Sequence, residues 1–188
     1  MTLHGAIAVE CLSGPASAQA EQAFRLVYAE TFAEPPYNET EADVTACFRR
    51  FRSQTRKQTF RAVLARTHQG EPVGIGYGYP LGPRTGWWDR ITPPAPDDLR
   101  GEDGHRTFGL MELAVRTPWR RIGVARRMHA ALIADAGEGR VLLNVRQDAE
   151  AARGAYRAWG YRKVGETRPW DGAPLHDVMT LVLRSETA

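Results

Sequence analysis

Cysteine is scarce in this 188-residue chain, and long hydrophobic runs are absent. The two cysteines, Cys11 and Cys47, imply no disulfide framework, and we expect small buried residues of the kind found in a reducing cytoplasm. No apolar stretch approaches the roughly 20 residues that a membrane-spanning helix needs. The N-terminal segment lacks a basic region followed by a long apolar stretch, so we expect no secretory signal. These absences predict a cytoplasmic protein that has no membrane partner.

Several ligand-binding motifs are also missing. The absence of GxxxxGK[ST] argues against a P-loop kinase or ATPase. No GxGxxG follows the first strand, and the GIGYG of residues 74–78 lies within a strand pattern. No cluster of histidine and cysteine has the spacing of a zinc site, so we predict no metal. We expect surface or turn positions for the scattered histidines, which are His4, His68, His105, His129 and His176.

The net charge of the chain is small, but its arginines are concentrated in one segment. The formal net charge is only +3, from 25 basic and 22 acidic residues, which is too mild to argue for nucleic-acid binding. Five arginines are concentrated between Arg116 and Arg127, which suggests a small polyanionic ligand. A nucleic-acid-binding domain remains an alternative, and it predicts binding that weakens steeply with salt. We expect no nucleic-acid partner.

The hydrophobic pattern predicts the element order β-α-α-β-β-β-α-β-α-β-β, that of one α/β domain over residues 1–188. A first helix over 17–32 ends before Pro35, and Thr40 and Asp43 form a capping box for the second helix. Asp148 is expected to cap the last helix, which ends at Gly160. The predicted strands cover residues 6–12, 60–66, 72–81, 110–115, 140–145, 161–166 and 177–183, with a further helix near 122–136.

Residues 82–106 show no helix or strand pattern and are interpreted as a loop-like insertion. The segment contains four prolines and is too long for a simple connector. The adjacent Trp87 and Trp88 argue for partial order, since two indoles would be poorly suited to solvent. They either contact a substrate or pin the segment to the domain.

A second pattern joins a buried strand to a helix. Arg120-x-x-Gly123-x-Ala125 follows the apolar stretch FGLMELAV and precedes an amphipathic segment. Backbone N–H groups at a helix N-terminus, together with its partial positive charge, suit a phosphate. Glycine at position 123 removes the Cβ where a phosphate must approach closely.

This pattern resembles the pyrophosphate-binding motif of the GNAT N-acetyltransferase superfamily, Arg/Gln-x-x-Gly-x-Gly/Ala. The later segment resembles the closing motif of that family through Ala152, Tyr156, Gly160 and Tyr161. Over residues 108–183 the resemblance rests on these motifs. Over residues 6–80 it rests on the order of the predicted strands and helices. It implies a central mixed, largely antiparallel splayed sheet of about 6–7 strands with about four helices. It also implies acetyl-CoA as the acyl donor and no metal.

The resemblance further implies which residues contact acetyl-CoA. The family often has an asparagine where this chain has Ala149, and Asn144 or Asp148 is the candidate substitute. The cofactor-binding residues implied are Leu113, Ala114, Val115, Arg120, Arg121, Ile122, Gly123, Val124, Ala125, Arg126 and Asn144.

Two residues are candidates for catalysis. Glu112 is a carboxylate within an apolar strand, which is costly unless it faces a cleft or has a partner. Because members of the family often place a base or a water-ordering residue on this strand, Glu112 is either the general base or a structural residue that forms an ion pair or accepts a hydrogen bond. Tyr156 of the closing motif is expected to assist departure of the thiolate, the alternative being a buried helix tyrosine.

The motifs leave the acceptor open. Selectivity is expected from the EPPYN segment and the insertion, where Glu34, Tyr37, Trp88 and Asp89 can bind a cationic amine through charge or aromatic surface. A primary amine on a small molecule is the first expectation, attacked directly in a ternary complex with no acyl-cysteine intermediate. Protein N-termini or lysines, and a coenzyme-A-binding regulatory module without turnover, are the alternatives. A homodimer is left open.

Overall fold

The computed structural model describes residues 6–183, and within them the chain forms two compact units. The first unit contains the residues up to Tyr79 together with Met111–Ala136. The second contains Pro80–Leu110 together with the residues from Gly137 onward. In this part of the chain, no helix is long and apolar enough to cross a membrane.

Residues 6–183 form eight strands and six α-helices. The strands are β1 (Ile7–Ser13), β2 (Arg61–Thr67), β3 (Pro72–Pro80), β4 (Ile91–Thr92), β5 (Thr107–Val115), β6 (Arg140–Arg146), β7 (Arg162–Thr167) and β8 (His176–Val182). The helices are α1 (Gly14–Gln19), α2 (Glu21–Phe32), α3 (Glu41–Gln54), α4 (Asp97–Arg100), α5 (Val124–Ile133) and α6 (Glu150–Ala158).

The strands pair in the order β1-β2-β3-β5-β6-β8-β7-β4. The pairs β1–β2, β2–β3, β4–β7, β6–β8 and β7–β8 are antiparallel. Residues 107–109 of β5 pair in parallel with residues 140–142 of β6. The predicted mixed, largely antiparallel α/β sheet is therefore confirmed. The counts exceed those expected because β4, α1 and α4 are too short for a hydrophobic period to reveal.

Two helices of the first unit, α1 and α3, begin at side-chain caps that the sequence supplies. The Ser13 side chain accepts a hydrogen bond from the N–H of Ala16 at the start of α1. Thr40 and Asp43 form the predicted capping box at the start of α3. The single helix predicted over 17–32 is wrong, because Ala20 leaves the helical region at φ −88° and ψ 11° and separates α1 from α2.

An aromatic cluster fills the core of the first unit and also includes Ala114 of β5. Its rings belong to Phe24, Tyr28, Phe32, Phe48, Phe51, Phe60 and Tyr77. Neighbouring rings lie between 4.3 and 6.3 Å apart at their centroids, mostly tilted or edge-to-face. Each buried ring contributes roughly 2 kcal/mol of transfer free energy, so the cluster gives β5 a rigid support.

Two glycines of β3 allow α5 and β5 to pack closely. A Cβ at Gly74 would lie 2.6 Å from Sδ of Met128 on α5. A Cβ at Gly76 would lie 2.9 Å from Cδ1 of Leu113. Because real Cβ atoms do not approach so closely, glycine at both positions lets these side chains lie against the sheet. The GIGYG stretch is therefore part of a strand, as predicted, with a packing role.

The insertion is ordered around a buried ion pair in the second unit. Arg140 on β6 donates hydrogen bonds to Oε1 of Glu102 at 2.8 Å and to Oγ1 of Thr107 at 2.6 Å. The indole Nε1 of Trp88 donates to the same Glu102 oxygen at 3.0 Å. We term Trp88, Glu102, Thr107 and Arg140 the anchor cluster. Residues 82–106 are thus held in place, and they contain β4 and α4.

Helix α6 begins without the predicted cap. The expectation for Asp148 is wrong, because the N-cap is Ala149 and no side chain caps the helix. Asp148 instead accepts two hydrogen bonds from Arg146, at 2.9 and 2.6 Å. A bidentate charge-assisted pair competes strongly with capping by the same carboxylate. The C-terminal end of α6 is as predicted, with Gly160 left-handed at φ 98°.

Candidate functional site

The loop between β5 and α5 presents a row of unpaired backbone amides. Arg121 and Gly123 adopt left-handed conformations, at φ 63° and 83°, and α5 starts at Val124 without a side-chain cap. In the described chain, the N–H groups of residues 121–126 donate to no carbonyl or side chain. Successive amides in such a turn form an anion-binding concavity, and the helix N-terminus adds partial positive charge. This geometry supports the predicted contact with a phosphate.

The arginines of this segment fall into two groups. Arg116, Arg120 and Arg127 are held by protein acceptors on other segments of the first unit. The side chains of Arg121 and Arg126 are exposed and form no hydrogen bond or ion pair within residues 6–183. Arg121 and Arg126 are therefore the two guanidinium groups that are available to an anionic ligand.

The end of β5 leads directly into the amide-rich loop. Ala114 and Val115 are buried, and half-buried Leu113 packs at Gly76. The parallel ladder with β6 uses only residues 107–109 of β5, so it leaves out the backbone groups of residues 113–115. The carbonyl of Val115 accepts a hydrogen bond from Nε of Arg120 at 2.8 Å, which fixes the start of the loop.

Glu112 is half-buried on β5 and forms no ion pair with any described residue. Burial raises the pKa of its carboxyl to about 8, the charge of Glu39 adds to this rise, and Arg50 opposes it. The ion pair considered as its alternative role is therefore not formed among residues 6–183. A carboxyl with this pKa exchanges its proton near neutral pH, as a general base must.

Glu34 and Tyr37 lie in a tight turn that follows α2. The Glu34 carbonyl accepts hydrogen bonds from the N–H groups of Tyr37 and Asn38, at 3.1 and 3.2 Å. The Tyr37 ring meets the Phe32 ring edge-to-face at 4.7 Å. The turn over residues 34–38 is therefore attached to the aromatic core of the first unit.

The carboxylate of Glu34 is already bound by the β5–α5 loop. Thr117 donates from Oγ1 at 2.5 Å, and Arg120 donates from Nη1 at 2.8 Å to the other carboxylate oxygen. The Thr117 hydrogen bond and the Arg120 charge hold the pKa of this carboxyl below its usual value, against an opposing effect of burial. An acceptor amine would have to compete with both donors for Glu34.

Asn144 and Tyr156 belong to the second unit. The Oδ1 atom of Asn144 is buried and has no hydrogen-bond partner among the described residues. A buried amide oxygen in this state is costly, which supports a role as a ligand contact. Tyr156 on α6 is half-buried and packs edge-to-face on Trp159 and Tyr161, at 5.6 and 5.3 Å, so the direction of its ring is fixed.

The insertion contributes Trp88 and Asp89, which differ in exposure. Asp89 is exposed, so its carboxylate can meet a solvent-borne amine. Trp88 is only 5% exposed and belongs to the anchor cluster, so its ring offers almost no surface to an acceptor. The structure therefore favours the second of the two roles considered for this residue, that of pinning the insertion.

The histidines divide between surface and interior. His68 and His105 are exposed, as expected, whereas His129 on α5 is buried and His176 on β8 is half-buried. The expectation of a surface or turn position is wrong for these two, because each lies within a regular element that packs on one face. Burial lowers the pKa of His129 to about 4, so it is neutral at pH 7. His4 lies outside the described residues.

Comparison with known families identifies the chain. The model of the Acetyltransferase (GNAT) family matches residues 22–161. The match includes the β5–α5 loop together with Glu112, Asn144 and Tyr156. The chain belongs to the GNAT acetyltransferase family. The prediction of an acetyl-CoA-dependent N-acyltransferase is confirmed with it.

Solved structures of other acetyltransferases share the fold at low sequence identity. The ribosomal-protein-S18-alanine N-acetyltransferase from Escherichia coli has a TM-score of 0.62 at 15% identity, over 97% of this chain and 99% of that one. Ard1 from Thermoplasma volcanium has 0.62 at 15%, over 96% and 99%. The PaiA N-acetyltransferase from Thermoplasma acidophilum, in complex with coenzyme A, has 0.63 at 10%, over 95% and 99%. No curated protein matches the sequence.

Sequence reasoning missed the residues that hold the segments of this acetyltransferase in place. Arg116 bridges Glu30 and Glu71 at 2.6 and 2.7 Å, and Thr117 binds Glu34. Arg140 could have been found, because it is a charge at the start of an apolar strand, the same signal that singled out Glu112. Thr117 carries no such signal, since its partner lies far away in the sequence.

Proposed function

We propose that this acetyltransferase transfers the acetyl group of acetyl-CoA to a primary amine of a small molecule, by direct attack in a ternary complex. The β5–α5 loop carries this proposal, because its unpaired amides and two available arginines suit a pyrophosphate. We assign to acetyl-CoA the residues Leu113, Ala114, Val115, Arg121, Ile122, Gly123, Val124, Ala125, Arg126 and Asn144. Arg120 of the family motif is assigned a supporting role, because it fixes the loop through Val115 and Glu34.

Each part of this set has a separate task. The amides of residues 121–126 bind the pyrophosphate, and Arg121 and Arg126 neutralise its charge. The backbone groups of residues 113–115 are placed to pair with amides of the pantetheine arm. The orphaned Oδ1 of Asn144 accepts a further hydrogen bond from the donor. Acetyl-CoA is consumed as a substrate, and no metal ion takes part in these steps.

Glu112 is assigned the role of general base. A free amine near lysine's pKa of about 10.4 is mostly protonated at pH 7, and its deprotonation costs about 4–5 kcal/mol. Glu112 removes this proton directly or through a water molecule, and its pKa of about 8 matches that task. The amine nitrogen then attacks the thioester carbonyl and forms a tetrahedral intermediate, which loses its second N–H proton to solvent.

Tyr156 is assigned to the leaving group. Collapse of the intermediate breaks the C–S bond and expels a thiolate, whose thiol has a pKa of about 8.5. The Tyr156 phenol donates a strong hydrogen bond to the developing charge, delivers its proton late and is then reprotonated from solvent. The edge-to-face packing by Trp159 and Tyr161 fixes the ring that carries this hydroxyl.

The cysteines support direct transfer. Burial raises the pKa of the Cys47 thiol to about 11, so this residue is a poor nucleophile at neutral pH. Cys11 is exposed on β1, so the expectation of a buried residue is wrong for it, and it lies in neither family motif. We therefore assign no acyl-cysteine intermediate.

The acceptor is assigned to the compact turn 34–38 and to Asp89. Tyr37 offers an aromatic surface in the first unit, and Asp89 offers an exposed carboxylate in the second unit. Each group by itself suits a cationic amine. A short turn gives few contacts for an extended peptide, which favours a small molecule. Protein N-termini or lysines, and coenzyme A binding without turnover, are the other outcomes of the test.

An acceptor screen tests this function. Release of free thiol from acetyl-CoA is followed in the presence of amino acids, polyamines, aminoglycosides and short peptides, and products are identified by a mass gain of one acetyl group. We expect turnover with at least one small amine. Turnover with peptides alone would reassign the acceptor, and coenzyme A binding without any turnover would support the regulatory alternative.

A further inference from the structure

Glu34 connects two segments of the first unit that the proposed function assigns to different substrates. Its carboxylate accepts hydrogen bonds from Thr117 and Arg120 in the β5–α5 loop, at 2.5 and 2.8 Å. Its backbone carbonyl accepts hydrogen bonds from Tyr37 and Asn38 in the turn 34–38. Glu34 is thus hydrogen-bonded through its side chain to the β5–α5 loop, which we assign to acetyl-CoA. Through its backbone it is hydrogen-bonded within the turn 34–38, which we assign to the acceptor.

The two donors to Glu34 are themselves fixed within the loop. Nε of Arg120 donates to the Val115 carbonyl at 2.8 Å, and the backbone N–H of Arg120 donates to the Thr117 carbonyl at 3.2 Å. Arg116, at the start of the same loop, is bound to Glu30 of α2 at 2.6 Å. Any rearrangement that stiffens this loop therefore stiffens both groups that hold Glu34.

Ligand binding supplies a reason for the loop to stiffen. The amides of residues 121–126 follow Arg120 directly and have no partners within the described chain. A pyrophosphate bound there would order the loop, and the contacts with Glu34 would then cost less conformational entropy. By thermodynamic linkage, an acceptor that orders the turn 34–38 increases the affinity for acetyl-CoA by the same factor by which acetyl-CoA increases the affinity for the acceptor.

We propose that Glu34 transmits occupancy of the acetyl-CoA loop to the turn 34–38, so that donor binding positions the segment that receives the acceptor amine. This role rests on the proposed function. We assign Glu34 a positioning role, because both of its carboxylate oxygens accept hydrogen bonds from the loop.

Hydrogen exchange of residues 33–40, followed by mass spectrometry with and without saturating coenzyme A, tests this role without a known acceptor. Coenzyme A binding is measured in parallel by calorimetry. In the wild type, coenzyme A should slow exchange of the Tyr37 and Asn38 amides by about fivefold, the low end of allosteric couplings.

Two variants and one control separate coupling from simple stability. Glu34→Gln weakens the pair with Arg120, and Thr117→Val removes the hydroxyl donor while leaving that pair in place. Both should bind coenzyme A but lose most of the ligand-dependent slowing. Glu41→Gln is the matched control, because Glu41 is an exposed carboxylate paired with Arg25 and does not contact the loop. It should behave as the wild type does.

Three results would overturn the role of Glu34. One is wild-type protein that binds coenzyme A with unchanged exchange in residues 33–40. Another is full ligand-dependent slowing in both Glu34→Gln and Thr117→Val. The third, absence of coenzyme A binding in the wild type, would remove the proposed function as well, and calorimetry distinguishes it from the first two.

Discussion

The indole Nε1 of Trp88 donates a hydrogen bond to Oε1 of Glu102 at 3.0 Å, and the same oxygen accepts from Arg140 at 2.8 Å. The guanidinium of Arg140 also lies 5.3 Å from the centroid of the Trp88 ring. The tryptophan therefore helps to satisfy a buried ion pair. We therefore expect Trp88 to stabilise the insertion and not to contact the acceptor.

Trp88→Phe should lower the melting temperature by about 5 °C, because it removes a hydrogen bond to a buried charge that is worth about 1.5–3 kcal/mol. Trp87→Phe is the matched control, since the buried Nε1 of Trp87 has no partner in the described residues and its loss should cost little. Thermal denaturation measures both variants. A raised acceptor KM with an unchanged melting temperature in Trp88→Phe would return this residue to the acceptor site.

The pKa of Glu112 predicts a dependence of activity on pH. As the base, Glu112 must be ionised, so kcat/KM should rise with pH through about 8. An acceptor amine of low pKa should be used, so that its own titration does not produce the same rise. Glu112→Gln should lower kcat by about 10²-fold or more and abolish the rise. An unchanged profile in this variant would exclude Glu112 as the base.

The same group predicts a dependence of stability on pH. Because its folded pKa is raised above the unfolded value of 4.5, Glu112 favours the folded state below pH 4.5 and opposes it increasingly as the pH rises through about 8. Glu112→Gln should therefore gain melting temperature relative to the wild type at pH 9 but not at pH 4. An equal difference at both values would show that the carboxyl is not titrating in this way.

The sequence predicted the parts of this fold that depend on local signals. The capping box of Thr40 and Asp43 needs only residues close in the chain, and so does the position of Gly123 between a strand and a helix. The contacts of Glu34 with Thr117 and Arg120 were not predictable, because they join residues about 80 positions apart. The Asp148 carboxylate could either cap α6 or pair with Arg146, and both partners are close in the sequence. It pairs with Arg146, so α6 has no side-chain cap.

Asn144→Ala should raise the KM for acetyl-CoA while leaving the free energy of unfolding unchanged or slightly higher. The reason is that the buried Oδ1 of Asn144 has no partner in the described residues, so its removal loses no internal hydrogen bond at that atom. Gln147→Ala provides the contrast, because the Gln147 side chain donates to Glu166 and Asp177. It should lose stability and keep its KM for acetyl-CoA. Urea denaturation and steady-state kinetics measure these quantities, and a large loss of stability in Asn144→Ala would make Asn144 structural.

Tyr156→Phe should lower kcat by about 10²-fold without weakening acetyl-CoA binding. The change keeps the ring that packs on Trp159 and Tyr161 and removes only the hydroxyl. Rapid-quench measurement of the acetyl-transfer step checks this directly. A transfer rate equal to that of the wild type would leave Tyr156 with a packing role alone.

Calorimetric titration of acetyl-CoA into Gly123→Asp tests most directly whether the β5–α5 loop holds the donor. Gly123 is left-handed at φ 83° and has open space where a Cβ would lie, so the variant places a side chain and a negative charge against the pyrophosphate. Gly70→Asp is the matched control, with φ 85° and equally open space in the turn between β2 and β3. We expect the affinity for acetyl-CoA to fall at least tenfold, roughly 1.4 kcal/mol, in Gly123→Asp and to stay at the wild-type value in Gly70→Asp, with both variants folded. Equal affinity of Gly123→Asp and the wild type would contradict the assignment of this loop to acetyl-CoA.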